Sequence, residues 1–173
     1  LNLVDGSIYK TLMTDGETFT RPAKPFLARQ DKVSDFDNNV QEPSVVIKGD
    51  RIELFWIGLK WKLPGKPEGY PGQEIRGMAM FRNVYDLNFN LIEQTKNSIA
   101  DNVNITEVKY IGGKYYMFFS TLETSGPFHK DEKIGLMTSN DGLSWGERRI
   151  IAKSGPIDSY DGWGMFGPTV AED

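Results

Sequence analysis

Residues 40–58 read VQEPSVVIKGDRIELFWIG, and two apolar runs, Val45 to Ile47 and Ile52 to Ile57, stand either side of Gly49-Asp50. Gly and Asp tolerate the positive φ that a two-residue hairpin turn needs, and β-branched and aromatic residues suit a pleated strand. The stretch therefore predicts a β-hairpin. The pattern returns 63 positions on, where Ile105 to Ser120 is ITEVKYIGGKYYMFFS with Gly112-Gly113 at the turn. A third copy begins at Met165, MFGPTVAED, in which Pro168-Thr169-Val170 echoes Pro43-Ser44-Val45. Self-similarity at such a period predicts an array of one supersecondary unit.

The unit also has an outer half. Ile8 to Phe19, IYKTLMTDGETF, matches Ile134 to Trp145, IGLMTSNDGLSW: each has a strand, an Asp-Gly turn and an aromatic three residues after the Gly. In the first complete unit the inner hairpin is expected at 44–58 and the outer strands at 77–81 and 88–94. In the second they are expected at 107–120 and across 134–153. No stretch shows helical periodicity. Four-stranded units in tandem predict an all-β protein, a β-propeller built of four-stranded antiparallel blades. A β-sandwich also has short alternating strands, but it has no reason to repeat its sequence every four of them.

One domain is expected over residues 1–173: outer strands of one blade at 1–35, a full blade at 36–95, a second at 96–153, and the first strand of a further blade at 154–173. That is about eleven strands, fewer than the four blades of four that a propeller needs. The remaining blades are expected from the same longer chain or from a second copy.

A formal charge of −4 offers nothing to attract nucleic acid or an anionic membrane, so neither is expected as a partner. There is no cysteine, which removes disulfides and thiol chemistry. A single histidine among scattered carboxylates predicts no transition-metal site and no cofactor; an oxygen-liganded structural calcium is conceivable, but the spacing gives it no support. The sequence assigns no compartment.

An up-and-down meander puts both hairpin turns of a blade at one end and the strand links at the other. The short turns then share one face of the propeller, and the long segments share the opposite one, where variable loops on a rigid scaffold carry function. That loop face holds Asp37, Glu42, Asp101, Glu107 and Asp161, with Trp61, Trp163 and Arg76. Carboxylates round a central cavity suit glycosidic chemistry, in which one acid protonates the leaving oxygen and another activates water or attacks the sugar. Glu42, Asp37, Asp101 and Asp161 are the catalytic candidates; Trp163, Trp61, Arg76 and Glu107 are the substrate-binding ones. Each also has a plainer reading. Asp37 and Asp161 precede inner strands, where Asp commonly shapes turns. Glu107 fits a salt-bridged strand residue, Arg76 a solvated one.

EPSVVIKGDRIELFWIG, KIGLMTSNDGLSW and YDGWGMFGPTV together resemble the five-bladed propeller glycosidases of the arabinanase, xylosidase, invertase and levansucrase superfamily, glycoside hydrolase families 43, 32 and 68. The resemblance implies a carbohydrate-active enzyme that hydrolyses or transfers a glycosyl group on an oligosaccharide or polysaccharide. It also implies three acids on successive inner strands. Glu42 before Pro43 stands for the first, whereas the second falls at Ile105-Thr106 and the third at Phe166 ahead of Gly167-Pro168. Those two departures keep a second expectation open: a non-catalytic carbohydrate-binding or protein-interaction propeller that has lost its acids.

Overall fold

The computed structural model describes residues 7–11, 24–28, 40–61, 75–121, 132–156, 158–159, 165 and 167–171. Nine strands run in order: β1 (Val40–Lys48), β2 (Arg51–Trp61), β3 (Ile75–Asp86), β4 (Leu91–Gln94), β5 (Ala100–Asp101), β6 (Val103–Ile111), β7 (Lys114–Thr121), β8 (Ile134–Ser139) and β9 (Arg149–Ala152). They form two antiparallel meanders, β1-β2-β3-β4 and β6-β7-β8-β9. The architecture is all-β, and the meanders are two blades of a β-propeller. Among the described residues there is no helix.

The turns form as their residues dictate. Lys48 pairs with Arg51 across Gly49-Asp50, and Ile111 pairs with Lys114 across Gly112-Gly113. Gly49 has φ 60, Gly112 φ 57 and Gly113 φ 84, a left-handed region that side chains with a Cβ resist. One expectation shifts here. β3 runs unbroken to Asp86 rather than ending near Phe81, because its partner β2 is nearly as long, 11 residues against 12, and pairs residue for residue down to Arg51↔Asp86. Asp86 then closes the turn itself, its carboxylate accepting the backbone N–H groups of Asn88 and Asn90 at 2.8 Å each. The outer strand of the first blade is broken as well: β4 and β5 both pair with β3. The inner strands also begin earlier than expected, at Val40 and Val103.

Packing follows the alternation of each strand. One face of β2 and β3 contributes Phe55, Ile57, Leu59, Met78 and Met80, which meet Val108, Tyr115, Met117 and Phe119 of the second blade in one apolar cluster. The opposite face contributes Leu54, Trp56, Ala79 and Phe81, which meet Ile8 and Leu27 of the preceding segment. Ile8 and Leu27 themselves form an antiparallel bridge. At the turn end the two blades share a buried polar network. Tyr115 donates its hydroxyl to Glu53 at 2.8 Å, Arg82 stands 3.5 Å from the same carboxylate, and Arg82 Nη1 donates to the Asp141 carbonyl at 2.9 Å. Burial, followed by the Glu53 carboxylate, pushes the Tyr115 phenol up.

Candidate functional site

The loop-face ends of the inner strands share one irregularity. In β1 the register shifts between Gln41 and Ser44, and in β6 between Asn104 and Glu107. Each shift holds a residue with positive φ: Glu42 at 53° and Ile105 at 41°. Gly167 has φ 70° ahead of Pro168, at the equivalent place in the third copy. Left-handed backbone strains a residue with a Cβ, and a β-branched one most, so the surroundings must enforce it at Ile105. Glu42 is part of that enforcement. Its carboxylate accepts the Ile105 N–H at 2.6 Å, while the Gln41 side-chain amide donates to its other oxygen at 2.9 Å.

The irregularity brings Glu107 into phase with Asn104, because these pair with Phe118 and Ser120, which are two apart on β7. Glu107 is half-buried. It ion-pairs with Lys109 at 2.6 Å and accepts the Val170 N–H at 3.2 Å. Burial draws its carboxyl up, but Lys109, Thr169 and Val170 together outweigh this and hold it below the usual carboxylate range. Ser44, which stands where Glu107 does one repeat earlier, accepts the Val108 N–H at 2.8 Å. Ser44 ties β1 to β6, and Glu107 ties β6 to the segment 167–171.

Asp101 is exposed on β5, and its carbonyl accepts from Arg148 at 2.7 Å. Trp61 ends β2 opposite Ile75, and Arg76 is the second residue of β3. Asp37, Asp161, Trp163 and Phe166 lie outside the described residues. Of the sequence candidates, the structure thus places Glu42 against the Ile105 bulge and Glu107 against Val170. The backbone groups these two carboxylates meet are different ones, Ile105 N–H and Val170 N–H. Among the described residues no three His, Cys, Asp or Glu side chains gather as a metal site.

A polar layer that sequence reasoning did not single out surrounds this end of the second blade. Asn104, Thr106, Ser120, Thr121 and Glu132 are all buried. Ser120 Oγ accepts the Gly167 N–H at 3.0 Å, and Thr121 Oγ1 accepts the Lys133 N–H at 3.1 Å. Sixty-three residues earlier the first blade has Gln41, Pro43, Ile57 and Gly58 in place of Asn104, Thr106, Ser120 and Thr121. Laying the two hairpins over one another would have exposed the change from Ile57-Gly58 to Ser120-Thr121. Glu132 carries no such signal, because the loop before it differs in length from its counterpart.

No family model and no curated protein matches the chain. Solved structures do. The β-1,2-mannobiose phosphorylase of Listeria innocua, in complex with β-1,2-mannobiose, matches with a TM-score of 0.58 at 22% identity, over 87% of this chain and 37% of that one. A glycosyl hydrolase from Bacteroides ovatus matches with a TM-score of 0.47 at 9% identity, over 71% and 33%. A structure from the GH130 family of mannoside phosphorylases matches with a TM-score of 0.45 at 11% identity, over 71% and 33%. The chain spans little more than a third of the Listeria protein. At these identities the likeness is one of fold: a glycosidase-type propeller.

Proposed function

We propose that this chain is part of a carbohydrate-active propeller that cleaves or transfers glycosyl groups at its loop face. The observation that carries the reading is the buried polar layer around the Ile105 bulge, on a blade whose fold is that of sugar-processing propellers. A low-polarity wall would suit a packing face; hydroxyl, amide and carboxylate groups suit a polyhydroxylated ligand. In this reading Glu42 and the loop carboxylates Asp37, Asp101 and Asp161 share the acid and base work. One carboxyl protonates the departing glycosidic oxygen, and another takes the proton of the attacking water. With phosphate as acceptor, as the name of the Listeria neighbour suggests, the phosphate oxygen attacks instead and no activating base is needed. Trp163, Trp61, Arg76 and Glu107 would bind the substrate, the two indoles suiting the apolar faces of a sugar ring.

A second reading, a carbohydrate-binding propeller without catalysis, is favoured by one specific observation. The two glutamates Glu42 and Glu107 each accept a backbone N–H from a residue 63 positions further on, which is structural work.

The propeller domain extends beyond two blades in this proposal. Val45 and Ile47 of β1 are 55% and 69% exposed, whereas Val108, one repeat after Val45, is 1% exposed beneath the first blade. An inner hairpin of a preceding blade would cover Val45 and Ile47 in the same way, supplied by the same longer chain or by a second copy.

The test is incubation with a panel of neutral oligosaccharides, β-1,2-mannobiose included, with and without inorganic phosphate. Products are separated by chromatography and binding is followed by calorimetry. Turnover is expected, reduced about 100-fold or more in Glu42→Gln. Release of a sugar phosphate only when phosphate is present would identify phosphorolysis. Binding without turnover favours the second reading, and neither binding nor turnover sinks both.

A further inference from the structure

We infer that Asn104 and Thr106 form a hydrogen-bonding subsite for a neutral polyhydroxylated ligand, an inference that rests on the carbohydrate reading of the loop face. Asn104 is 2% exposed and Thr106 7% exposed. Asn104 Oδ1 and Thr106 Oγ1 are both buried without a hydrogen-bond partner in the fold. Native proteins leave few such groups, and two on either side of a single residue call for a cause.

The cause is local. Ordinary strand alternation would place Asn104 and Thr106 together on one face with Ile105 opposite. Here the intervening residue sits at φ 41° in a register shift, so ladder pairing stops at Asn104↔Ser120 and resumes at Glu107↔Phe118. Bulges of this kind re-aim side chains beside functional sites. The polar groups next to them behave differently. Ser120 and Thr121, also buried, each accept a backbone N–H of the following segment. The layer therefore divides into groups the fold has satisfied and groups it has left open.

The open groups select a chemistry. An amide oxygen accepts a hydrogen bond, and a hydroxyl both donates and accepts, which matches a sugar hydroxyl on either side of the exchange. Neither group carries a charge. Glu42 acts here as a positioning residue, since its carboxylate on the Ile105 N–H holds the bulged residue between the pair.

Thr106→Val keeps the side-chain shape and deletes the hydroxyl, and Asn104→Leu does the same for the amide. If the fold leaves these atoms unsatisfied, deleting them costs the free protein nothing. The thermal midpoint without ligand is expected to hold or to rise by about 2–4 °C. Affinity for the tightest-binding member of the neutral oligosaccharide panel is expected to fall about tenfold or more for each variant. Ser120→Ala, which deletes a satisfied group, is expected to lower the midpoint and calibrates the comparison. A lower midpoint in Thr106→Val and Asn104→Leu would show partners within the fold and overturn the inference. Unchanged affinity in both would overturn it while leaving the proposed function standing. A wild-type chain that binds no sugar in the panel defeats the proposed function, and this subsite with it.

Discussion

The first and second blades are built on one plan, and they solve the same positions differently. Where Trp56 of the first blade pairs with Phe81, their rings stack at 4.6 Å, and Trp56 Nε1 donates to Asn83 at 3.2 Å. The second blade has Phe119 opposite Gly135 at that register, and the missing side chain is what makes room for the ring. Total bulk is redistributed between strands rather than kept at each site. At the loop-face end the contrast is chemical: Ile57-Gly58 in one blade, Ser120-Thr121 in the other. A repeat thus preserves the ladder and its turns while each interface and each rim is free to specialise.

The comparison breaks most severely where the blades are joined. Arg82 of the first blade is buried against Glu53 and reaches the Asp141 carbonyl of the second. Arg82→Met removes one partner of a buried ion pair and leaves Glu53 to Tyr115 alone, so a loss of about 3–5 kcal/mol in urea unfolding is expected. Adding Glu53→Gln should recover part of it, because no uncompensated charge then remains. A loss below about 1 kcal/mol in the single variant would mean that the network does not join the blades.

A milder perturbation addresses the exchange of bulk. A Cβ on Gly135 collides with the Phe119 ring, so Gly135→Ala is expected to cost about 1–3 kcal/mol by overpacking. The double variant with Phe119→Leu should be less destabilised than the sum of the two singles. Strict additivity would show that the ring and the glycine are not complementary.

The smallest expected effect lies in the side-chain ties to the next repeat, Ser44 to Val108 and Glu107 to Val170. A hydroxyl tie does not titrate in this range, whereas a carboxylate tie does. The folded protein holds Glu107 below its ordinary value of 4.5, so its contribution is present above that pH and is lost as pH falls through the depressed folded value. Replacement of Glu107 by Gln should flatten this part of the acid limb of the stability curve, and Lys109→Met should weaken it. An acid limb identical in all three proteins would remove Glu107 from the linkage.

The blades, their order and their turns were legible because they rest on local signals: β-branched and aromatic runs, Gly at positions of positive φ, and a repeat that lets one copy predict another. The ends of strands were less so. β3 extends past Phe81 because β2 pairs with it throughout, a fact about the partner strand rather than about its own residues. For the site, the sequence named candidate residues, and the structure supplies backbone partners for two of them. The loop face follows from meander topology, and Glu42 from its position before Pro43, yet the roles of Glu42 and Glu107 depend on which N–H each meets some 63 residues away.

By itself, then, the sequence determined an all-β architecture of four-stranded units and its hairpin turns. These follow from side-chain periodicity and backbone preference, which act over a few residues at a time. Only the tertiary structure decided that Ile105 is held in a left-handed bulge, that Asn104 and Thr106 are buried with polar atoms unmet, and that Arg82 joins two blades. Each of these depends on strands distant in sequence meeting in one register. Hydrogen bonds and desolvation act only at contact, so no stretch read alone contains them.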